Sequence, residues 1–372
     1  MNKNTPENPP PTKILHRSLI VFSYLIIMTF FLYLPKLKTF FIEDKALYVY
    51  SFPDMINIDV IKDFEKKYGI NVSIKYFDTD AELLAKFKIT RGEGFDLITA
   101  SDFMIDMLRK ENLLAPLNHE KIPHIKELDE RLLNKEFDPN NLYSLPLSWS
   151  VYGIIFNKKI FSVKPKNLGL DLIFESQSHV SNIIMPYKMC MVADFREATF
   201  LAALYLFGTA KNLNDAKIET IKKLFIQQKK WVECYISQDL RFYLFSEIFH
   251  VGITLSSYIR KIIQVRDDFD FIIPKEGSLL SIENIAIPKK SKKHDLIHTL
   301  INFLLARKNQ TLNTNFYGFN PSNKQAYQDI PQKVLQNPNI FPNDKVFATL
   351  HLLQNNSLIK KLNDMWWEVK SS

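Results

Sequence analysis

Glycine is scarce in this sequence, with 9 among 372 residues, and no Gly-rich phosphate loop or G-x-S-x-G elbow is present. These absences exclude the usual signatures of nucleotide binding and serine hydrolysis. There is also no Cys-x-x-Cys motif. His119 and His124 are five residues apart with Pro123 between them, a spacing that cannot place both imidazoles on one helical face. The sequence therefore predicts no enzyme, no metal site and no cofactor.

Charge of one sign is not concentrated along the chain. The formal net charge is +8, but the lysines are scattered, and the one dense run, residues 289–293, is interpreted as a solvated turn. We therefore expect no nucleic-acid partner. Only two cysteines occur, Cys190 and Cys234. A disulfide is possible in an oxidising compartment, whereas burial as small apolar side chains is the favoured interpretation.

Long apolar runs are absent except near the N-terminus. Residues 1–17 are polar and read as a cytoplasmic tail, and residues 18–34 are uncharged and apolar. Lys13 and Arg17 precede this run, as the positive-inside rule favours. We interpret residues 18–35 as an uncleaved signal anchor, with a cleaved signal peptide as the alternative. In either case the rest of the chain is exported, and an uncleaved anchor would tether it to the membrane.

Strand and helix patterns alternate through the remaining chain, which predicts an α/β fold with a mostly parallel sheet. A helix beginning at Asn57 and ending at Gly69 is indicated by its capping residues. The predicted elements are strands at 47–51, 70–76, 95–99, 151–156, 181–186, 250–255 and 269–273 and helices at 80–90, 102–111, 194–207 and 214–230. Two α/β units result, and segments 145–156 and 280–288 are the candidate crossings between them.

The loops at the strand ends contain carboxylate side chains. Open α/β sheets bind ligands at the carboxyl ends of their strands. Asp54 follows the first strand, and Asp194 and Glu197 are three apart at a helix start. Glu283 lies in an apolar strand, where it needs a partner or a wet cleft. Helix N-terminal charge is the structural alternative for Asp194 and Glu197.

Several collinear stretches resemble the periplasmic spermidine/putrescine-binding proteins of ABC importers. They are Leu47–Phe52, Phe95–Ile98, Tyr143–Pro146 with Trp149, Asp194–Glu197, Pro274–Gly277, Ile285–Pro288 and Leu300–Leu305. The resemblance implies a two-lobed type II solute-binding fold, each lobe being a mixed sheet flanked by helices. It divides the chain into an N-lobe of 46–150 with 281–322 and a C-lobe of 151–280 with 323–372.

The resemblance also implies a ligand site in which carboxylates hold ammonium groups and aromatic rings line the methylene chain. The implied ligand-binding residues are Phe52, Asp54, Ser101, Phe103, Asp194, Glu197, Glu283, Phe319 and Gln354. Met55, Leu255 and Ser281 stand where the family has aromatic rings, which indicates weaker binding or a differently shaped amine.

Three functions remain open at this point. The first is a polyamine receptor that delivers its ligand to an inner-membrane ABC permease. The second keeps the fold and binds another small cationic solute. The third is a sensor or interaction module that does not transport.

Overall fold

The structure is a computed structural model that describes residues 19–33, 46–161, 168–175, 187–236, 249–262, 266–354 and 358–372. Residues 19–33 form helix α1, whose side chains are exposed. No helix in these described ranges is long and apolar enough to cross a membrane. Residues 18, 34 and 35 of the membrane-spanning helix predicted over residues 18–35 lie outside the described residues.

The other elements follow the alternation that the sequence predicts. The strands are β1 Ala46–Ser51, β2 Asn71–Tyr76, β3 Leu97–Ser101, β4 Leu114–Ala115, β5 Ser144–Asn157, β6 Met189–Val192, β7 Val232–Ile236, β8 Val251–Leu255, β9 Phe269–Ile272, β10 Ser278–Pro288, β11 Asn320–Pro321 and β12 Leu350–His351. The helices are α2 Ile58–Tyr68, α3 Asp80–Thr90, α4 Asp102–Lys110, α5 Asp171–Phe174, α6 Phe195–Phe207, α7 Asp215–Gln228, α8 Ser256–Ile262, α9 His294–Leu305, α10 Arg307–Tyr317, α11 Gln332–Leu335, α12 Asp344–Phe347 and α13 Ile359–Ser371.

Local sequence explains where the helices begin and end. Asn57 accepts a hydrogen bond from the backbone of Asp59 at the start of α2, and Gly69 ends that helix in the left-handed conformation. Ser101 caps α4, and Asp194 caps α6 by accepting from the Arg196 backbone. Ser101 and Asp194 therefore begin helices that closely follow strands β3 and β6.

The sheet runs in the order β2-β1-β3-β10-β5-β8-β6-β7. Strand β1 is parallel to β2 and β3, and β6 is parallel to β7 and β8. Strand β10 is antiparallel to β3 and β5, and β5 is antiparallel to β8 and β9. The prediction of a mostly parallel sheet was wrong at the centre, because β5 and β10 run against their neighbours. The sheet is mixed, as the resemblance implies.

Separate hydrophobic cores define two lobes. The first lobe packs β1, β3 and the start of β5 against α2, α3, α4 and α9, with Phe64, Phe87 and Trp149 fully buried. The second lobe packs the end of β5 and β6 against α6, α7 and α13, with Phe225 and Trp366 in the core. Strands β5 and β10 are the crossings, at the segments that the sequence predicts.

One predicted lobe boundary differs from the contacts observed. The segment after residue 323, which we assigned to the second lobe, contacts the first lobe over much of its length. Tyr327 donates to Asp129, Arg131 pairs with Asp344, and Phe347 lies in the core of the first lobe. Helix α13 packs on the second lobe against α6 and α7, Leu353 and Leu358 also pack against that core, and the His351 ring contacts Phe200 of α6. The strand predicted at 181–186 lies outside the described residues, and β6 follows it at 189–192.

Cys190 and Cys234 form a disulfide, so their interpretation as unpaired apolar side chains was wrong. They are direct partners in the parallel pairing of β6 with β7. Their sequence separation of 44 residues could not indicate this, because the pairing depends on which strands become neighbours.

The disulfide is expected to stabilise the second lobe substantially. A closed loop of this length restricts the unfolded chain by about 4 kcal/mol in the loop-entropy treatment. Cys190→Ser with Cys234→Ser should therefore lower the free energy of unfolding by roughly that amount in urea melts, and reductant should reproduce the effect in the wild type. An unchanged urea midpoint in the double variant would contradict the contribution assigned to this bond.

Candidate functional site

Polar side chains form a row across the centre of the first lobe's sheet. Glu283 of β10 pairs in register with Ser101 of β3 on one side and with Ser148 of β5 on the other. Two residues away on the same strands, Ser281 of β10 pairs with Ser150 of β5. Directly opposed residues on neighbouring strands project from the same face, so these side chains converge.

Alternation along β10 sets the direction of Glu283. Ile282 lies in the apolar core, so the next residue, Glu283, projects from the opposite, polar face. The register between β10 and β5 shifts after Glu283, between Ser148 and Pro146, so the extra residue of this irregularity, Leu147, belongs to β5.

Four buried carboxyl groups are grouped around Asp80, whose charge raises the pKa of each of the other three. We call them the acidic chamber: Asp80, Asp102, Glu197 and Glu283. Asp80 and Asp102 are the first residues of α3 and α4. Asp80 follows β2 after a short loop, and Asp102 directly follows β3. Burial raises the pKa of Asp102 well above its usual value, and the charges of Glu283 and Asp80 raise it further. The pKa of Asp80 is also raised, chiefly by burial.

The remaining two acids of the chamber have pKa values near neutrality. Burial, then the charge of Asp80, raises the pKa of Glu283 to about 7. Burial, then the charge of Asp194, raises the pKa of Glu197 to about 8. Glu197 accepts a hydrogen bond of 2.5 Å from the Tyr152 hydroxyl. A bound cation would favour the ionised form of each of these groups.

Several oxygens of the chamber and of the neighbouring serines of β5 lack hydrogen-bond partners among the described residues. These buried atoms are Asp80 Oδ1, Asp102 Oδ2, Glu283 Oε2, Ser148 Oγ and Ser150 Oγ. Ser281 donates to the other oxygen of Glu283 at 3.3 Å, and Ser101 donates to the other oxygen of Asp80 at 3.0 Å. Buried acceptors without donors are unfavourable, and a ligand bearing N–H groups would satisfy them.

Arg196 supplies a positive charge at one end of the chamber. Its guanidinium bonds both oxygens of Asp194, Nη2 to Oδ2 at 2.6 Å and Nε to Oδ1 at 3.0 Å. Its Nη1 lies 3.1 Å from Asp80 Oδ2, and its guanidinium carbon lies 4.5 Å from the centroid of the Phe103 ring. Burial would raise the pKa of Asp194, but the hydrogen bonds from Arg196 outweigh it and hold that pKa low.

The predicted site residues divide into two groups in the structure. Ser101, Phe103, Asp194, Glu197 and Glu283 lie in or beside the chamber. Phe52 lies at the neighbouring strand end, where its backbone donates to Thr99 and its ring contacts Phe77 at 4.2 Å between centroids.

Three predicted residues have other surroundings. Asp54 is exposed with a φ of 64° and helps to raise the pKa of Tyr317 to about 12, after burial. Phe319 is buried in the apolar core of the first lobe. Gln354 is exposed and donates to Glu136.

Sequence reasoning missed four members of this arrangement: Asp80, Asp102, Tyr152 and the charge of Arg196. Asp80 and Asp102 look like ordinary first-turn acids, which stabilise helix N-termini. The one available indication was their position just after strands whose carboxyl ends meet at one edge.

Crossing strands join the two lobes, and the acidic chamber lies beside the polar row of the central strands and the N-terminus of α6. This arrangement defines a solute-binding protein. The family model of bacterial extracellular solute-binding proteins matches residues 59–342. The chain belongs to that family, whose members bind solutes and are not enzymes.

Curated relatives and solved structures agree with this assignment. The chain is 28% identical over 309 residues to spermidine/putrescine-binding periplasmic protein 1 of Haemophilus influenzae, covering 82% of this chain and 83% of that protein. It is 26% identical over 347 residues to the putrescine-binding periplasmic protein PotF of Escherichia coli, covering 88% and 92%. A putative spermidine/putrescine ABC transporter structure from Listeria monocytogenes superposes with a TM-score of 0.78 at 28% identity, covering 88% and 99%.

Proposed function

We propose that this protein is the substrate-binding component of an ABC importer and captures a polyamine, putrescine or spermidine, in the acidic chamber. The observation that carries the proposal is the set of buried carboxyl and hydroxyl oxygens that lack donors among the described residues. The names of the relatives support the same ligand class.

The chemistry of the chamber suits an alkyl diamine. Each ammonium group offers three donors and a full charge, and hydrogen bonds between ionised partners are the strong ones. The charge of Glu283 raises the pKa of Asp102, so these two carboxyls are the candidates for one ammonium, and Glu197, on α6 of the second lobe, is the candidate for the other. A neutral sugar would leave these carboxyls uncompensated, and an anion would be repelled.

A thermal-shift screen followed by calorimetry tests this proposal. Putrescine and spermidine should raise the melting temperature of the purified full-length protein, because a ligand that binds only the folded state stabilises it by mass action. Glutamate and maltose, tested in parallel, should leave the melting temperature unchanged. No shift and no heat with any polyamine would overturn the proposal.

A second candidate is another small cationic solute in the same chamber. The specific observation in its favour is the thin aromatic lining, since Phe319 packs in the core and Phe103 is covered by Arg196. Native mass spectrometry of protein purified without added amine would identify such a solute. A retained ligand other than a polyamine would favour this candidate, and normal polyamine uptake after gene deletion would favour a role outside transport.

We also propose that the protein works in the periplasm, where it docks on an inner-membrane permease. The disulfide supports an oxidising compartment. The finer hypothesis is that residues 18–35 tether the protein to the inner membrane. Fractionation tests it: tethered protein stays with membranes through an alkaline wash, whereas a protein whose leader is cleaved is released with the periplasmic fraction.

A further inference from the structure

A close contact joins helix α8 of the second lobe to the end of α10 in the first lobe. Ile259 and Ile262 of α8 lie in an apolar core with β5, β6 and β9, whereas α10 packs against α2 and α9. Gly318 ends α10 with a φ of 92°, and a Cβ atom at this position would overlap the backbone oxygen of Ser257 on α8. The two lobes therefore meet through backbone at this point.

Arg260 of α8 is buried at this contact. The residue is 4% exposed, and its Nη2 donates to Asn315 Oδ1 of α10 at 3.2 Å. Its Nη1 is buried and has no hydrogen-bond partner among the described residues. Burial lowers the pKa of Arg260, and no charged group in the described part of the chain offsets that effect. The guanidinium therefore faces a neutral amide where a carboxylate would compensate its charge.

Arg131 shows the more favourable arrangement, because its guanidinium bonds both oxygens of Asp129. A carboxylate restores much of the free energy that a guanidinium loses on leaving water, whereas an amide with one donor left unsatisfied restores less. Asn315 belongs to the first lobe and Arg260 to the second, so separation of the lobes would return this side of the guanidinium to water. Contact between α8 and α10 is thus opposed by the burial of Arg260.

We infer that Arg260 is a positioning residue that opposes lobe closure in the free protein, so that the closed form accumulates only when an amine is bound. This inference rests on the proposed function, which supplies the ligand. Asp102 and Glu283 belong to the first lobe and Glu197 to the second. A diamine held by both lobes would join them and offset the burial of Arg260. The measured affinity is then the affinity of the closed form reduced by the fraction of free protein that is closed.

Asn315→Asp tests the inference by supplying the missing carboxylate with almost no change in size. The full-length variant should bind putrescine about tenfold more tightly than the wild type in calorimetry at pH 8. Stopped-flow measurements should show slower dissociation, because release requires the lobes to separate. Arg260→Met, which removes the buried cation and keeps an unbranched side chain, should also tighten binding, by about threefold to tenfold.

Two further proteins separate this role from a general effect on folding. The double variant Arg260→Met with Asn315→Asp buries a carboxylate without a cation, so it should bind putrescine more weakly than either single variant. Independent effects would instead add, and the double variant would bind more tightly than either. Arg307→Met removes an arginine at the start of the same helix α10, whose partner is Asp329, and should leave the dissociation constant unchanged within a factor of about two.

Small-angle X-ray scattering of the free proteins gives a readout that needs no ligand. The radius of gyration should be smaller in Asn315→Asp and Arg260→Met than in the free wild type, since a larger fraction is closed, and Arg307→Met should match the wild type.

The outcomes separate the inference from the proposed function. Unchanged scattering together with unchanged or weaker putrescine binding in both single variants would overturn the inference alone. A free wild type as compact as its putrescine complex would also overturn it. Absence of amine binding by the wild type would overturn the proposed function, and the scattering comparison would then still decide whether Arg260 opposes closure.

Discussion

Glu283→Gln is expected to weaken putrescine binding by about two orders of magnitude, because it removes the charge at the centre of the polar row. Glutamine keeps the size of the side chain and the hydrogen bond from Ser281, so the change isolates the carboxylate. Removing one partner of a desolvated ion pair leaves the other charge buried without compensation. Calorimetric titration at pH 8, where Glu283 is mostly ionised, measures the effect directly.

The matched control is Glu93→Gln, which removes an exposed glutamate of the same lobe. Its affinity for putrescine should equal that of the wild type within a factor of about two, since exposed charges are screened. The melting temperature of the free Glu283→Gln protein should not fall, because the unfavourable burial of an acid is removed. Wild-type affinity in Glu283→Gln would show that the ligand is bound elsewhere.

The affinity for putrescine is expected to rise steeply between pH 6 and pH 8. The pKa of Glu283 is about 7 and that of Glu197 about 8 in the free protein, so both carboxyls hold protons at pH 6. A diammonium ligand must displace these protons, whereas the amine itself stays charged throughout this range. We expect a loss of about tenfold or more per pH unit below pH 7, with proton release detected as a dependence of the heat on the buffer.

The raised pKa values of Glu197 and Glu283 also predict that the stability of the free protein falls as pH rises, whereas its affinity for putrescine rises. Their pKa values lie above the unfolded value of 4.5, so the folded state binds more protons between pH 4.5 and 8. Stability therefore falls as pH rises through this window. Glu197→Gln with Glu283→Gln should flatten both profiles, and an affinity that is constant from pH 6 to pH 8 in the wild type would contradict the assignment.

Periodicity and capping predicted much of the fold. Asn57 and Gly69 bound α2 as the sequence indicates, and the two crossing strands lie at the predicted segments. These features depend on local chemistry, which a sequence displays directly. The antiparallel centre of the sheet and the pairing of Cys190 with Cys234 depend on which distant strands become neighbours, and local patterns carry no such information.

The residues of the candidate site were likewise predictable only where the local sequence indicated a function. Glu283 stood out because a carboxylate among apolar residues demands an explanation, and its position in the acidic chamber supplies one. Asp102 gave no such indication, since an acid beginning a helix is common on any surface. The role of Arg196 was also hidden, because only the folded chain brings Asp80 of one lobe beside a guanidinium of the other.

The pairing of β3 with β10 also sets the order in which the protein can be completed. Ser101 of β3 can pair with Glu283 of β10 only after most of the chain has been synthesised. The central sheet of the first lobe is therefore incomplete until β10 has been made. Nascent chains ending before residue 278 would lack that strand and expose the edges of β3 and β5, which invites association with other chains. The ligand site is thus assembled at the end of biogenesis, and truncated fragments are predicted to aggregate instead of binding amine.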